Sequence, residues 1–187
     1  MKKAFTLTIG FFLVTLLFCG TYYILVVGSD GTDTIAYIEP DDAYTSFSDI
    51  LQHADLRGKV IFVDYWHTGC GPCLREFESL SKLKERFKHK DLVYLYLGKD
   101  RSVPGEKFRW KKMIESKNLS GFHYFMTNEK YYRFWDESVG DTTILQAFPH
   151  YLIIDRAGNI ANNNAPWPSD TRLIDELSKV LSEEHNH

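Results

Sequence analysis

The chain is poor in cysteine, with three in 187 residues. That is too few for a disulfide-stapled scaffold or a four-cysteine metal site. It also lacks an excess of positive charge. Lys and Arg number 22 against 25 Asp and Glu, a formal net charge of −3. No basic footprint for nucleic acid results, so nucleic acid is not an expected partner. Glycine (12) and proline (6) are too sparse for a fibrous or low-complexity chain, and no internal repeat is visible. The remainder, 44% hydrophobic and 15% aromatic, fits a folded globular protein. Two features then stand out: one long apolar run, and two cysteines close together with the third far away.

The apolar run comes first. Lys2 and Lys3 precede Ala4 to Val27, 24 residues without a charge, and no Lys or Arg follows before Arg57. As a helix the run is about 36 Å long at roughly 1.5 Å per residue, enough to cross a hydrocarbon core of about 30 Å with some tilt. The lysine bias places the N-terminus in the cytoplasm and the remainder outside. The competing reading is a cleaved signal peptide, with small residues around Val27-Gly28-Ser29 as its site, but such apolar regions usually run only about 7–15 residues. Cys19 lies inside the run, and bulky Phe18 before it argues against lipidation. The expected organisation is a membrane anchor over 1–29 (or an uncleaved signal), a polar tether over 30–45, one domain over 46–182, and a disordered tail over 183–187. Without residues 1–29 the net charge becomes −5, since only Lys2 and Lys3 leave.

Within the domain, Ser46-Phe47-Ser48-Asp49 predicts a capping box opening a short helix through about His53. Val60 to Trp66 is a nearly continuous apolar run, expected to be a strand buried on both faces. A helix follows with Phe77, Leu80, Leu83 and Phe87 on one side, then a second buried strand, Leu92 to Leu97, ended by Gly98. This β-α-β order predicts parallel pairing. Trp110, Met113 and Ile114 mark a helix, His123–Met126 a short strand, and Tyr131, Phe134 and Trp135 another helix, all more readily core than partner surface. Tyr151–Ile154 and Ile160–Asn162 predict a hairpin around Asp155–Asn159, and Pro168-Ser169-Asp170 a last helix with Leu173, Leu177, Val180 and Leu181 inward. The class is α/β with a mixed sheet.

Cys70-Gly71-Pro72-Cys73 carries the chemistry. Two cysteines at i and i+3 form a redox pair or half of a zinc site, but zinc needs four ligands, and His67 and His89 do not supply the rest. No metal is therefore expected. A purely stabilising disulfide is disfavoured, because so small a loop removes little unfolded-chain entropy. The motif begins where a strand ends and a helix begins, the edge where ligands sit in open α/β sheets. A thiol there faces unpaired backbone N–H groups and the positive end of the helix dipole, which favours the thiolate. Cys70 is expected to be the exposed nucleophile and Cys73 the buried resolving thiol. Asp64, a carboxylate within an apolar strand, is expected to hold a raised pKa and exchange a proton with Cys73. The alternative is an aspartate at a strand end facing solvent.

Val63-Asp64-Tyr65-Trp66-His67-Thr68-Gly69-Cys70-Gly71-Pro72-Cys73 resembles the active-site segment of thioredoxins. A closer resemblance is to the membrane-anchored TlpA/ResA-like thiol:disulfide oxidoreductases of bacteria. It extends through Asp55-Leu56-Arg57-Gly58-Lys59-Val60, Cys73-Leu74-Arg75-Glu76, and Phe148-Pro149-His150-Tyr151-Leu152-Ile153-Ile154-Asp155-Arg156-Ala157-Gly158. Asn163-Asn164-Ala165-Pro166-Trp167-Pro168-Ser169-Asp170 resembles a stretch in Bacteroides-type members, and the likeness covers about residues 46–182. It implies a thioredoxin-like fold with an α-β insertion behind one transmembrane helix. It further implies a cis Pro149 facing Cys70, a redox-active Cys70–Cys73 disulfide, and a tuning role for Glu76. Read alone, Glu76 is equally a first-turn carboxylate facing solvent. Gly71, Pro72, Trp66, Phe148 and Pro149 would line the substrate groove, where backbone groups could pair with an extended segment. Gly69 and Phe148 depart from the family's usual Trp or Thr and smaller aliphatic residue.

The implied activity is extracytoplasmic reduction of protein disulfides, with no cofactor beyond the cysteine pair and an upstream membrane electron donor. Apocytochrome c, a misoxidised protein and another oxidoreductase all fit as substrate. Two rivals stand beside it. A thiol peroxidase would want a Thr-x-x-Cys nucleophile, whereas Thr68 lies only two residues before Cys70. The other rival is a thioredoxin-like docking module without turnover.

Overall fold

The structure, a computed structural model, describes residues 34–39, 44–140 and 143–183. The apolar run 4–27 and the tail 184–187 lie outside the described residues. Among the described residues no helix is long and apolar enough to cross a membrane.

Six strands form one sheet: β1 (Ile35–Ile38), β2 (Val60–Trp66), β3 (Leu92–Lys99), β4 (Gly121–Met126), β5 (His150–Ile154) and β6 (Ile160–Asn162). Their order is β1-β4-β3-β2-β5-β6. The first four positions pair in parallel, while β5 runs antiparallel to β2 and β6 to β5. This is the mixed sheet that the β-α-β order and the closing hairpin imply. The helices are α1 (Phe47–Leu51), α2 (Gly71–Arg86), α3 (Glu106–Ser116), α4 (Asn128–Ser138) and α5 (Arg172–Ser182).

The alternation in β2 explains the two cores. Val60, Phe62 and Trp66 join α2, α3 and α5 on one face, where Phe77, Leu80, Trp110, Ile114, Leu173 and Leu177 are buried. Ile61, Val63 and Tyr65 join α1 and α4 on the other, with Phe47, Ile50, Tyr131, Phe134 and Trp135. Every residue of β2 is buried, as a central strand between two helical layers requires. The capping box at α1 is present: Ser46 Oγ accepts the Asp49 N–H, and Asp49 Oδ2 accepts the Ser46 N–H.

Three boundaries differ from the sequence reading. Residues 35–38, assigned to a polar tether, form β1 at the sheet edge. Ile35 registers with Gly121 and Ile38 with Tyr124, and Tyr37 packs 5.5 Å from the Trp110 ring. Four residues carry too short a period-2 pattern to stand out among the polar residues on either side. Gly98 does not end β3, which continues to Lys99. It is glycine because Trp110 crosses over it: a Cβ there would stand 2.2 Å from the indole Nε1. The last helix begins at Arg172, not at Pro168. The residues before it turn, so that Ser169 reaches α2 instead.

Candidate active site

Cys70 lies one turn-loop beyond the end of β2 and is the N-cap of α2, with Gly71 and Pro72 as the first helical positions. Proline fits there because its missing N–H would have no intrahelical partner. The loop is held locally: the Cys70 N–H donates to the His67 carbonyl oxygen at 3.0 Å, and the Gly69 N–H to His67 Nδ1 at 3.1 Å. Cys70 and Cys73 are joined by a disulfide, with Cα atoms 5.3 Å apart. The Cys73 N–H points at Cys70 Sγ at 3.1 Å. This is one of the otherwise unpaired N–H groups of the helix start, aimed at the sulfur where thiolate charge would develop.

The expected division between an exposed and a buried cysteine holds only in order. Cys70 is 4% exposed and Cys73 0%, and both belong to the first core. Trp66 differs more. It is fully buried, edge-on to Phe77 at 5.2 Å between ring centres, so it supports the loop from beneath and presents no groove surface. The residues that do reach the surface are Gly71, which is exposed, and Pro72 and Phe148, which are half-buried. The Phe148–Pro149 bond is cis, as the family resemblance implies, and Pro149 itself is buried.

Asp64 is 1% exposed and stands on the α2-facing side of β2, between Phe62 and Trp66 in the strand's alternation. Its cross-strand neighbours are Tyr96 and Tyr151, both buried, and neither carboxyl oxygen has a hydrogen-bond partner among the described residues. Burial, and after it the nearby Glu76 carboxylate, push its pKa well above the ordinary range, while Lys84 pulls the other way. A solvent-facing strand end is therefore not its situation.

Glu76 is not a solvent-facing carboxylate either. It is 8% exposed, and both oxygens are engaged from the loop before α5. The Ser169 N–H donates to Oε2 and the Ser169 hydroxyl to Oε1, each at 2.9 Å. The shift of the α5 start thus has a cause, since a helix beginning at Pro168 would commit Ser169 elsewhere. Asp64, Glu76 and Cys73 are brought to one side of the sheet by β2 and α2.

A second polar cluster was not evident in the sequence. Glu106, at the start of α3, is 3% exposed. It accepts the Thr68 hydroxyl at Oε1, while Arg109 Nε and Nη2 donate to Oε2 at 3.3 and 3.2 Å. Arg101 Nη1 donates to Thr68 Oγ1 at 3.4 Å. Its guanidinium lies against Gly69, where a Cβ would come within 2.8 Å of Cζ. Gly69 therefore leaves room for an arginine. His67 packs edge-on to Phe148 at 4.7 Å, and burial, then Arg101 and Lys99, hold its pKa below the usual value. Nothing local signals these contacts, which join residues 33 and 38 apart. A glycine in place of the usual bulky residue before Cys70 is the one trace of them in the sequence.

Comparisons with known proteins place this geometry in context. Residues 37–181 match the Redoxin family. The thiol-disulfide oxidoreductase ResA of Bacillus anthracis is 33% identical over 50 residues, which are 27% of this chain and 29% of that relative. The match thus spans less than a third of the curated relative's length. A solution structure of a candidate thiol-disulfide oxidoreductase from Bacteroides vulgatus superposes with a TM-score of 0.57 at 30% identity, covering 72% of this chain and 81% of that one. The thioredoxin domain of another Bacteroides vulgatus thiol-disulfide oxidoreductase, at 24% identity and a TM-score of 0.56, covers 70% and 84% and shares the fold.

Proposed function

The chain belongs to the Redoxin family, as a thioredoxin-superfamily protein of the TlpA/ResA-like kind, and from that premise we propose that it is a thiol:disulfide oxidoreductase reducing protein disulfides outside the cytoplasm. The observation that carries the reading is the Cys70–Cys73 disulfide at the N-terminus of α2, above a buried carboxylate on the same sheet face. In the reduced form the Cys70 thiolate attacks one sulfur of a substrate disulfide, forming a mixed disulfide and releasing the other sulfur as thiolate. The Cys73 thiolate then attacks Cys70 Sγ, and the second substrate sulfur leaves as thiolate. Two electrons pass to the substrate, and the Cys70–Cys73 disulfide is regenerated. An external dithiol donor must reduce it again.

Asp64 serves this cycle as the proton acceptor for Cys73, its burial raising its pKa well above the ordinary carboxylate range and so making it a stronger base. Phe148, Gly71 and Pro72 form the surface on which an extended substrate segment lies, with Pro149 buried beside Phe148. The charge-free run 4–27 behind Lys2 and Lys3 supports an anchor that holds the domain on the outer side of a bacterial membrane, close to a membrane electron donor. The Gly-Pro dipeptide between the cysteines supports reduction over oxidation.

Insulin-disulfide reduction with dithiothreitol as donor tests the activity: wild type accelerates it, and Cys70→Ser abolishes the acceleration. Equilibration with glutathione tests the direction, with a potential more negative than about −200 mV expected for a reductant. Retained acceleration in both Cys70→Ser and Cys73→Ser would overturn the reading.

A further inference from the structure

The charges around Cys70 are sorted by burial. The carboxylates that the fold brings to the cysteine turn from β2, α2 and α3, namely Asp64, Glu76 and Glu106, are buried. Glu106 is covered, with its side chain 2% exposed and paired to Arg109 and Thr68, and Glu76 is clamped by Ser169. Asp100, the neighbour of Arg101 in sequence, is half-buried and accepts the Ser102 N–H at 2.8 Å. The cations are placed the opposite way. The Arg101 guanidinium lies against Gly69, immediately before Cys70, and exposed Arg75 reaches toward Gly71, immediately after it, with Nη1 3.7 Å from where a Cβ would stand. Lys99 Nζ lies 4.4 Å from the Tyr131 ring centre, 4.9 Å from Tyr132 and 5.9 Å from Phe148, on the cis-proline side. Among the described residues none of these three cations forms an ion pair with a carboxylate. The chain's net charge is −3, so this cationic rim is a local arrangement and not a consequence of overall composition.

We infer that Arg101, Arg75 and Lys99 form a substrate-selecting rim that favours disulfides flanked by Asp or Glu in the partner polypeptide. The inference rests on the oxidoreductase reading and gives it a substrate class. Buried Glu106 is the positioning residue of the rim. It fixes Thr68, Thr68 receives Arg101, and the arginine is thereby held over the glycine beside the nucleophile. An acidic side chain next to the target cysteine meets guanidinium groups on both sides of Cys70, and the Tyr131, Tyr132 and Phe148 rings supply apolar contact beside Lys99. Such a field raises the local concentration of acidic substrates and favours their docked orientation.

The test uses pre-reduced protein and two synthetic peptides with the same disulfide, one with Glu flanking each cysteine and one with Lys. Each second-order rate constant is divided by that of dithiothreitol with the same peptide, which removes the peptide's intrinsic reactivity. The normalised Glu-to-Lys ratio is expected to be about 10 at low ionic strength and to fall toward one at about 0.5 M NaCl. Arg101→Gln and Arg75→Gln each lower the ratio about two- to threefold, Arg101→Lys retains most of it, and the change resides in KM more than kcat. A ratio near one at low salt, with both peptides reduced, overturns the rim. Reduction of neither peptide by the folded protein overturns the oxidoreductase reading on which it rests.

Discussion

Asp64 shows how much one residue's surroundings determine. Its carboxyl is raised first by burial and then by Glu76. Above about pH 4 the unfolded chain has lost this proton, whereas the folded protein keeps it, so stability falls as pH rises from there. Asp64→Asn removes that slope. The variant should gain stability over wild type as pH rises above about 4, read as urea midpoints across pH, and lose roughly 10- to 100-fold in disulfide reduction at neutral pH. A midpoint difference independent of pH would contradict the assignment. Cys70, Cys73 and Asp64 were legible in the sequence, because each sits in a short contiguous pattern with its own physical signature, whereas Pro149 was named only through the family resemblance. Trp66 was misread, since its place beside the motif suggests contact with substrate while the strand's period-2 alternation turns it into the core. Ser169 was read as part of a helix start and of a family-like stretch, not as a partner of Glu76. Its grip on Glu76 spans 93 residues and leaves no local trace.

At the scale of elements, the close approach of β3 and α3 is the tightest constraint. Gly98→Ala would push a methyl into the Trp110 indole, and backbone on a central strand cannot retreat far. The expected loss is about 1–3 kcal/mol, measured as a lowered urea midpoint with an unchanged slope. An unaltered midpoint would mean that α3 packs elsewhere. The same helix carries Glu106, so its seat over β3 also sets the position of the Thr68 loop. Most strands and helices were readable from periodicity, β2 and α2 above all, because their apolar spacing is long and regular. The elements that were missed or misplaced had weaker local grounds. β1 is four residues long and is stabilised by pairing with β4, while the α5 start is displaced by the Ser169–Glu76 contact.

Across the whole molecule the buried titratable groups act in opposite directions. His123 is fully buried on β4, stacked on Tyr96 at 4.5 Å, and its Nε2 donates to the Leu119 carbonyl oxygen at 2.7 Å. Burial pushes its pKa down to about 3. Between about 6.5 and about 3 the unfolded chain binds a proton that the folded protein refuses, so stability is present above pH 6.5 and is lost as pH falls. His123→Phe keeps the ring stack and should flatten this acid limb of the urea-midpoint profile, at a cost of about 1 kcal/mol near pH 7 for the lost hydrogen bond. An acid limb as steep as in wild type would contradict it. The α/β class and mixed sheet followed from element order alone, whereas the sorting of charge around Cys70 depends on which side chains the fold buries. The central claim, that Cys70 attacks and Cys73 resolves, is tested most directly by intact-mass analysis of reduced Cys73→Ser mixed with a disulfide-bonded peptide. A stable adduct of one peptide chain on Cys70, absent in Cys70→Ser, is the expected result. No adduct on Cys70 with the variant folded, or an equal adduct in both variants, would contradict the account.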